Sequence, residues 1–484
     1  MHRKTTEILN FFSQINAIPR CSGNEAGVAK WLIGWAEKEG FDVQWDSVDN
    51  LVIRVPASLG FENAPAVVLQ GHMDMVCEKT PGSNHDFSKD PIPLVYEGDW
   101  VTADGTSLGA DNGIALAIAM AIATSPEVQH PPLELLFTVD EETGLNGAKK
   151  IEPGFFSGKI FLNIDSEKEG IFTVGCAGGK NIRITLPLES QPSDERQRPI
   201  RITVSGLRGG HSGIDIHRQR ASANVLLTRM LQRLRKGLDI RLAAFKGGTV
   251  HNAIARDAEA IVLVWDESVD RLVESVAAFE REVRLEYDPT EPMLEISAAV
   301  EDPLSAASGV ATHHATGNAV RLMTALPHGV AGMSRQMPEL VETSCNLATV
   351  RLSLSRLEIL TSLRSASPSR LVELSDKILS IAELAGATVK IDSEYAPWPQ
   401  DPDSPLLKRC REVYVQLFGR EPEIEVIHAG LECAVIGDIV KGMDMISFGP
   451  DMENPHSPDE RLNIPSIEKI WAFCKALLES YKPI

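Results

Sequence analysis

A chain of 484 residues exceeds the usual length of one domain and favours two or three, with ample apolar material for buried cores. Hydrophobic residues make up 43% and charged residues 24%, which excludes long disorder, collagen-like repeats and a disulfide-stapled mini-protein. The 67 acidic and 47 basic groups leave a net charge of −20, which repels phosphate backbones and anionic lipid, so neither nucleic acid nor a membrane is expected as a partner.

The opening MHRKTTEILNFFSQINAIPR mixes polar and apolar residues at helical spacing and lacks the apolar core of a leader, predicting an amphipathic helix and a cytoplasmic location. A second helix is expected near 24–39, then strands at LVIRVPA and AVVLQGHMD. Next come a small-residue helix at 112–124 and strands at LELLFTVD and KIFLNID. The apolar run 114–123 is about half the ~20 residues needed to cross a bilayer. This alternation predicts an α/β domain with a mixed, mostly parallel sheet and helices on both faces.

Between 184 and 393 the rhythm changes to two rounds of strand, helix and paired strands. The first holds RITVSG, a helix at 219–236, IRLAAF and AIVLVW. The second opens at LEISAAV and continues with a helix at 313–324, NLATVRLS, EILTSLRS and a helix at 369–386. After WPQDPDSP a helix, IEVIHA, DMISFG and a closing helix at 465–480 resume the first pattern. Residues 1–183 and 394–484 are therefore expected to form one catalytic domain, with 184–393 inserted as an α+β lid domain. The seven cysteines lie far apart with no CxxC pair, which predicts buried thiols and no disulfide framework.

Five segments place acids and histidines just past apolar strands, the edge where open α/β sheets bind ligands. In VVLQGHMDMV, His72 and Asp74 point to one side of an extended backbone, so Asp74 can fix the tautomer of a metal-bound His72, although the spacing alone is read more simply as a solvent-facing pair. Asp111 stands at a glycine-flanked turn before a helix, where an N-cap is the simpler reading. Asp140, Glu141 and Glu142 are three adjacent acids after LLFTV, which repel one another unless a cation intervenes. Asp165 closes KIFLNID, and His456 lies in the Pro-rich loop of SFGPDMENPHSPDERLNI. Two histidines and several carboxylates at equivalent strand ends form a ligand set for two divalent ions.

Taken in order, HMDMV, GADNG, DEETG, NIDSE, GLRGGHSG, HAGLEC and PHSPDER resemble the di-zinc metallopeptidase family of aminoacylases, glutamate carboxypeptidases and cytosolic dipeptidases. Within it the chain is most similar to the aminoacyl-histidine, or Xaa-His, dipeptidases. The resemblance implies that His72 and Asp165 hold one metal, Glu142 and His456 the other, and Asp111 both, through a cis Asp111–Asn112 peptide. It also implies that Asp74 orients His72 and Glu141 is the general base for a metal-bridging hydroxide. In the insert it implies His211 as oxyanion donor, with Asn252 and Arg364 binding the free carboxylate of a dipeptide. His428, expected on the catalytic domain, completes that set. Arg351, on the adjacent strand, is the alternative to Arg364.

The activity implied is hydrolysis of Xaa-His dipeptides such as carnosine, with two divalent ions, zinc favoured and manganese or cobalt able to serve. An N-acyl-amino-acid amidohydrolase or a broader dipeptidase is the nearest alternative. A non-catalytic peptide- or metal-binding protein is disfavoured, since binding alone needs no spare Glu141. A phosphate site at GTSLGADNG is weaker, because it lacks the Gly-Lys-Ser/Thr ending of a P-loop. A homodimer stays open. The length of the insert favours His211 serving the metals of its own chain.

Overall fold

The computed structural model describes residues 3–301, 309–335, 337–353 and 355–482, and the chain divides into two compact units. The first comprises residues 1–176, 398–426 and 431–484, and the second 177–397 and 427–430. The boundary expected at 183/184 falls inside one continuous strand, Gly178–Pro187, so the division lies ahead of that strand.

The first unit is built on an eight-stranded sheet. In spatial order its strands are Asp42–Trp45, Leu51–Val55, Leu133–Thr138, Val67–His72, Ile160–Asn163, Asp444–Ser447, Ile171–Cys176 and Glu423–Ile427. The four from Leu133–Thr138 to Asp444–Ser447 run parallel. Leu133–Thr138 and Val67–His72 are buried along their whole length, the unbroken pattern of parallel strands covered on both faces. Helix Arg3–Asn16 buries Ile8, Leu9, Phe12 and Ile15 at helical spacing and packs against helix Ala110–Thr124. The latter rests on Val67–His72, where Gly71 makes room for it.

The second unit carries an antiparallel sheet ordered Glu295–Val300, Gln197–Ser205, Ala258–Trp265, Arg241–Gly247, Val341–Ser353, Arg356–Ser365, Gly178–Pro187 and Thr388–Tyr395, with Gly329–Met333 beside Val341–Ser353. Read from either end, the order repeats. Gln197–Ser205, helix Ala223–Leu234, Arg241–Gly247, Ala258–Trp265, helix Val269–Tyr287 and Glu295–Val300 form one β-α-β-β-α-β half. Gly178–Pro187, helix His313–Ala325, Val341–Ser353, Arg356–Ser365, helix Pro368–Leu384 and Thr388–Tyr395 form the other. The first half is spliced in after the opening strand of the second.

Two rounds were expected, but with LEISAAV opening the second. That segment instead closes the first half, pairing along Gln197–Ser205, because its register partners lie there. The two halves meet where Phe245, Lys246 and Gly247 pair with Leu352, Arg351 and Val350. Side chains lengthen this short seam. The Arg351 guanidinium donates to the Gly247 and Gly248 carbonyls, Asn224 to those of Leu347 and Ala348, and Asn346 to those of His251 and Ala253.

The cysteine expectation fails at one pair. Cys21 and Cys77 form a disulfide, their Cα atoms 5.7 Å apart, because the fold lays residues 20–22 against 73–77 across a parallel bridge between Cys21 and Met75. Cys345, Cys410, Cys433 and Cys474 are buried thiols.

A Cβ on Gly71 would lie 2.4 Å from Asn112 Oδ1 and 2.8 Å from Ala115 Cβ. Gly71→Ala should therefore cost about 1–3 kcal/mol, the usual range for overpacking, read as a lowered midpoint in chemical denaturation.

Candidate metal centre

The parallel strands end side by side, and their C-terminal continuations supply the chemistry. His72 is the last residue of its strand, Asp165 lies two beyond Asn163, and Glu141 and Glu142 lie three and four beyond Thr138. Asp111 occupies the first turn of helix Ala110–Thr124 with non-helical φ −77° and ψ 105°, and the Asp111–Asn112 peptide is cis. His456, at φ 59°, comes from the loop before the last helix.

These groups converge. His72 Nε2 lies 3.0 Å from Asp111 Oδ1 and 3.5 Å from Asp165 Oδ1. His456 Nε2 lies 3.0 Å from Asp111 Oδ2 and 3.1 Å from Glu142 Oε2. The two oxygens of Asp111 thus face different histidines, and His72–Asp111–Asp165 and Asp111–Glu142–His456 are two triads sharing one carboxylate, each compact enough for one ion. Glu141 joins His72 and Glu142 in a third such group. Among the described residues Glu142 Oε1 and Asp165 Oδ1 are buried without a hydrogen-bond partner, as expected of oxygens shaped for a cation.

The electrostatics agree. Burial, reinforced by Asp111, raises Glu142 to about 7 against the pull of both histidines. Burial also raises Glu141 well above the carboxylate range, with Glu142, Asp165 and Glu432 adding to it. For His456 burial works downward, yet Asp111 and Glu142 outweigh it and push the imidazole up to about 11. His72 is likewise raised, against burial, by Asp165, Asp111 and Asp74. Acids that resist ionising beside imidazoles that hold their protons mark a place short of positive charge, and two histidines with carboxylates suit borderline divalent ions.

Of the three adjacent acids, Asp140 is spent on its own turn, accepting from Thr143 Oγ1 and Asn146 Nδ2. Asp74 does more than face His72 Nδ1 at 3.2 Å. Its carboxylate also accepts from the Glu141 and Glu142 amides and from Ser22 Oγ, which positions the acidic loop.

The sequence reading missed three charged residues around this centre. The Glu460 carboxylate, 2% exposed, accepts the amides of Leu108, Gly109, Ala110 and Asp111 at 2.7–3.3 Å. It caps the helix whose first turn holds Asp111 and ties it to the loop of His456. Arg20, 1% exposed, grips the opposite side of the same loop, donating to the carbonyls of Gly109, Met73 and Asp74 and to Asn16 Oδ1. Burial lowers its pKa to about 10, opposed by Glu460, Asp74 and Asp111. Beneath the strand ends, Glu432 accepts from Gln70 and Thr138, and Asn163 donates to Gln70, joining three adjacent strands just below their acids and histidine. Glu460 was visible in PHSPDER and Glu432 in HAGLEC, but a residue gripping backbone has no spacing signature of its own.

The insert candidates belong to the second unit. His211 forms a two-residue strand with Ala253 opposite, and the Ser212 amide bonds the Asn252 carbonyl, so His211 and Asn252 are neighbours. His211 Nδ1 accepts the Gly213 and Ile214 amides, which in the neutral ring puts the proton on Nε2. His428 falls in this unit, a correction to its expected place, because residues 427–430 pack with it. Its Nε2 lies 2.7 Å from Ser344 Oγ, and burial, with Arg364 and His211 adding, lowers its pKa to about 3. Arg364 is 7% exposed, and among the described residues its Nε has no hydrogen-bond partner and no carboxylate forms an ion pair with it. Arg351 has its donors on backbone carbonyls.

Parallel strands carrying this histidine–carboxylate cluster at their C-terminal ends define a metal-dependent hydrolase. The sequence profile of peptidase family M20/M25/M40 matches residues 68–480, and the chain belongs to that family: it is a metallopeptidase. It is 38% identical to the cytosol non-specific dipeptidase of Escherichia coli K12 over 470 residues, 97% of this chain and 96% of the relative. The crystal structure of the aminoacylhistidine dipeptidase of Vibrio alginolyticus matches with a TM-score of 0.86 at 38% identity, covering 98% of this chain and 96% of that one. An aminopeptidase from Bacillus cereus, 15% identical with 99% of each chain covered and a TM-score of 0.58, shares the fold.

Glu460→Gln would leave the 108–111 amides with half their acceptors. It should weaken metal binding about 10–100-fold in chelator competition, the range for outer contacts of a metal site, while the protein stays folded by circular dichroism.

Proposed function

We propose that this chain is a dipeptidase with two divalent ions, acting on dipeptides with a free C-terminal carboxylate and accepting Xaa-His dipeptides such as carnosine. The observation that carries the reading is the pair of triads sharing Asp111 with Glu141 beside them. The 38% identity across nearly the whole chain to two proteins named as dipeptidases supports the substrate class. The word non-specific in one of those names favours a substrate range wider than histidine dipeptides.

His72 and Asp165 would hold one ion and Glu142 and His456 the other, with Asp111 offering an oxygen to each. Zinc suits this set, and manganese or cobalt fits it. When bound, such ions supply Lewis acidity and lower the pKa of water. Glu141 accepts the proton of the attacking water and hands it to the leaving amine. Asp74 holds His72 and the amides of Glu141 and Glu142 in place. His211 donates Nε2–H to the oxyanion, a role its Nδ1 bonds support. Arg364 takes the substrate carboxylate with Asn252 and His428, a role supported by the fact that no acid among the described residues forms an ion pair with it. We place the protein in the cytoplasm, like the relative named for the cytosol, and leave a homodimer as compatible with the chain.

Glu141→Gln should keep both metals by elemental analysis and lose about 10²–10⁴ in kcat on a dipeptide panel. Metal loss in that variant would make Glu141 a ligand instead. Wild type should hydrolyse carnosine and ordinary dipeptides but not N-acetyl amino acids, and the reverse order would identify an amidohydrolase.

The two arginines should separate cleanly. Arg364→Ala should raise KM with little change in melting temperature, whereas Arg351→Ala should lower the melting temperature and leave KM near wild type, since its bonds stitch the two halves of the sheet.

A further inference from the structure

Arg364, Gly179 and Tyr395 share one rung of the second sheet. Gly179 is the register partner of Arg364 on one side and of Tyr395 on the other, so the two long side chains come from strands that do not pair with each other. They meet over the glycine, where Arg364 Nη1 donates to the Tyr395 hydroxyl at 3.2 Å. A Cβ on Gly179 would lie 2.5–2.6 Å from Tyr395 Cε1, Cζ and Oη, and one on Gly430 3.0–3.1 Å from Cε2, Cζ and Oη. The ring therefore occupies space that side chains at 179 and 430 would fill.

Three features converge on one role. The tyrosine engages one terminal nitrogen of a buried guanidinium. Among the described residues the Nε of that guanidinium has no hydrogen-bond partner, and it is 3.1 Å from where a Cβ on Gly213 would be. Among the described residues no acid forms an ion pair with it. A guanidinium fixed at Nη1 offers its Nε–Nη2 edge, whose two parallel N–H groups match the two oxygens of a carboxylate.

We propose that Tyr395 is a positioning residue that sets the Arg364 fork for a free C-terminal carboxylate and so fixes the preference for the acid over the amide. This rests on the reading of Arg364 as the carboxylate-binding group. A guanidinium released from the tyrosine rotates among several orientations, and the bidentate pair forms only in some of them.

The test uses full-length, metal-loaded protein, a dipeptide and the same dipeptide with a C-terminal amide. Tyr395→Phe keeps the ring between its glycines and removes only the hydroxyl. It should raise KM for the acid about 5–10-fold, hold kcat within about twofold, leave kcat/KM for the amide unchanged and preserve the melting temperature. Arg364→Ala should abolish the acid-over-amide preference. If Arg364→Ala does so while Tyr395→Phe leaves KM untouched, or lowers kcat and melting temperature alone, the positioning role is overturned and the carboxylate reading stands. If Arg364→Ala leaves the preference intact, the carboxylate reading falls, and the role of Tyr395 with it.

Discussion

Repulsion among buried carboxylates is the constraint around which the first unit is arranged. Asp111, Glu141, Glu142 and Asp165 crowd the ends of adjacent strands. Two like charges at 4 Å cost about 4 kcal/mol at an effective dielectric of 20, so such a cluster tends to spring apart or take up protons. It holds because each acidic segment is fixed by its backbone from outside. Glu460 takes the amides ahead of Asp111, Arg20 the carbonyls beside them, Asp74 the amides of Glu141 and Glu142, and Asn50 the Val139 amide. The side chains are left facing one another, and a pair of cations would turn the repulsion into cohesion.

His72, Glu141, Glu142 and Asp165 were legible because each sits at or just after the end of an apolar strand, whereas Asp111, in the first turn of a helix, read more simply as a cap. The residues that hold those segments were not legible. Glu460 meets amides some 350 positions away in the chain, and Arg20 meets carbonyls 53 to 89 away, distances at which local pattern carries no information. Asp140, Glu141 and Glu142 could not be told apart by spacing, and only the bonds from Thr143 and Asn146 single out Asp140 as a turn residue. Cys21 and Cys77 fell outside any motif, since a parallel bridge between distant segments brings them together.

In the second unit the repeat was audible in the sequence but out of phase. Gly178–Pro187 alternates buried and partly exposed residues over much of its length, yet no strand was expected there and the domain boundary was placed within it. Its place as the opening of the second half depends on pairing with Arg356–Ser365, far along the chain. The same pairing separates the two candidate arginines. Arg351 lies at the seam with its donors on carbonyls, and Arg364 lies on the next strand beside a tyrosine, in an ion pair with no acid among the described residues.

The seam has a consequence in terms of mass action. Three residue pairs, the side-chain hydrogen bonds around them and the core shared by helices Ala223–Leu234 and His313–Ala325 would, between separate molecules, form only in proportion to their concentration. Here both halves belong to one polypeptide, so each meets its counterpart at the effective concentration set by the connecting chain, whatever the dilution of the solution. The continuous sheet that carries Arg364 and Tyr395 on one side of the seam therefore persists at dilutions where two half-sized chains would drift apart.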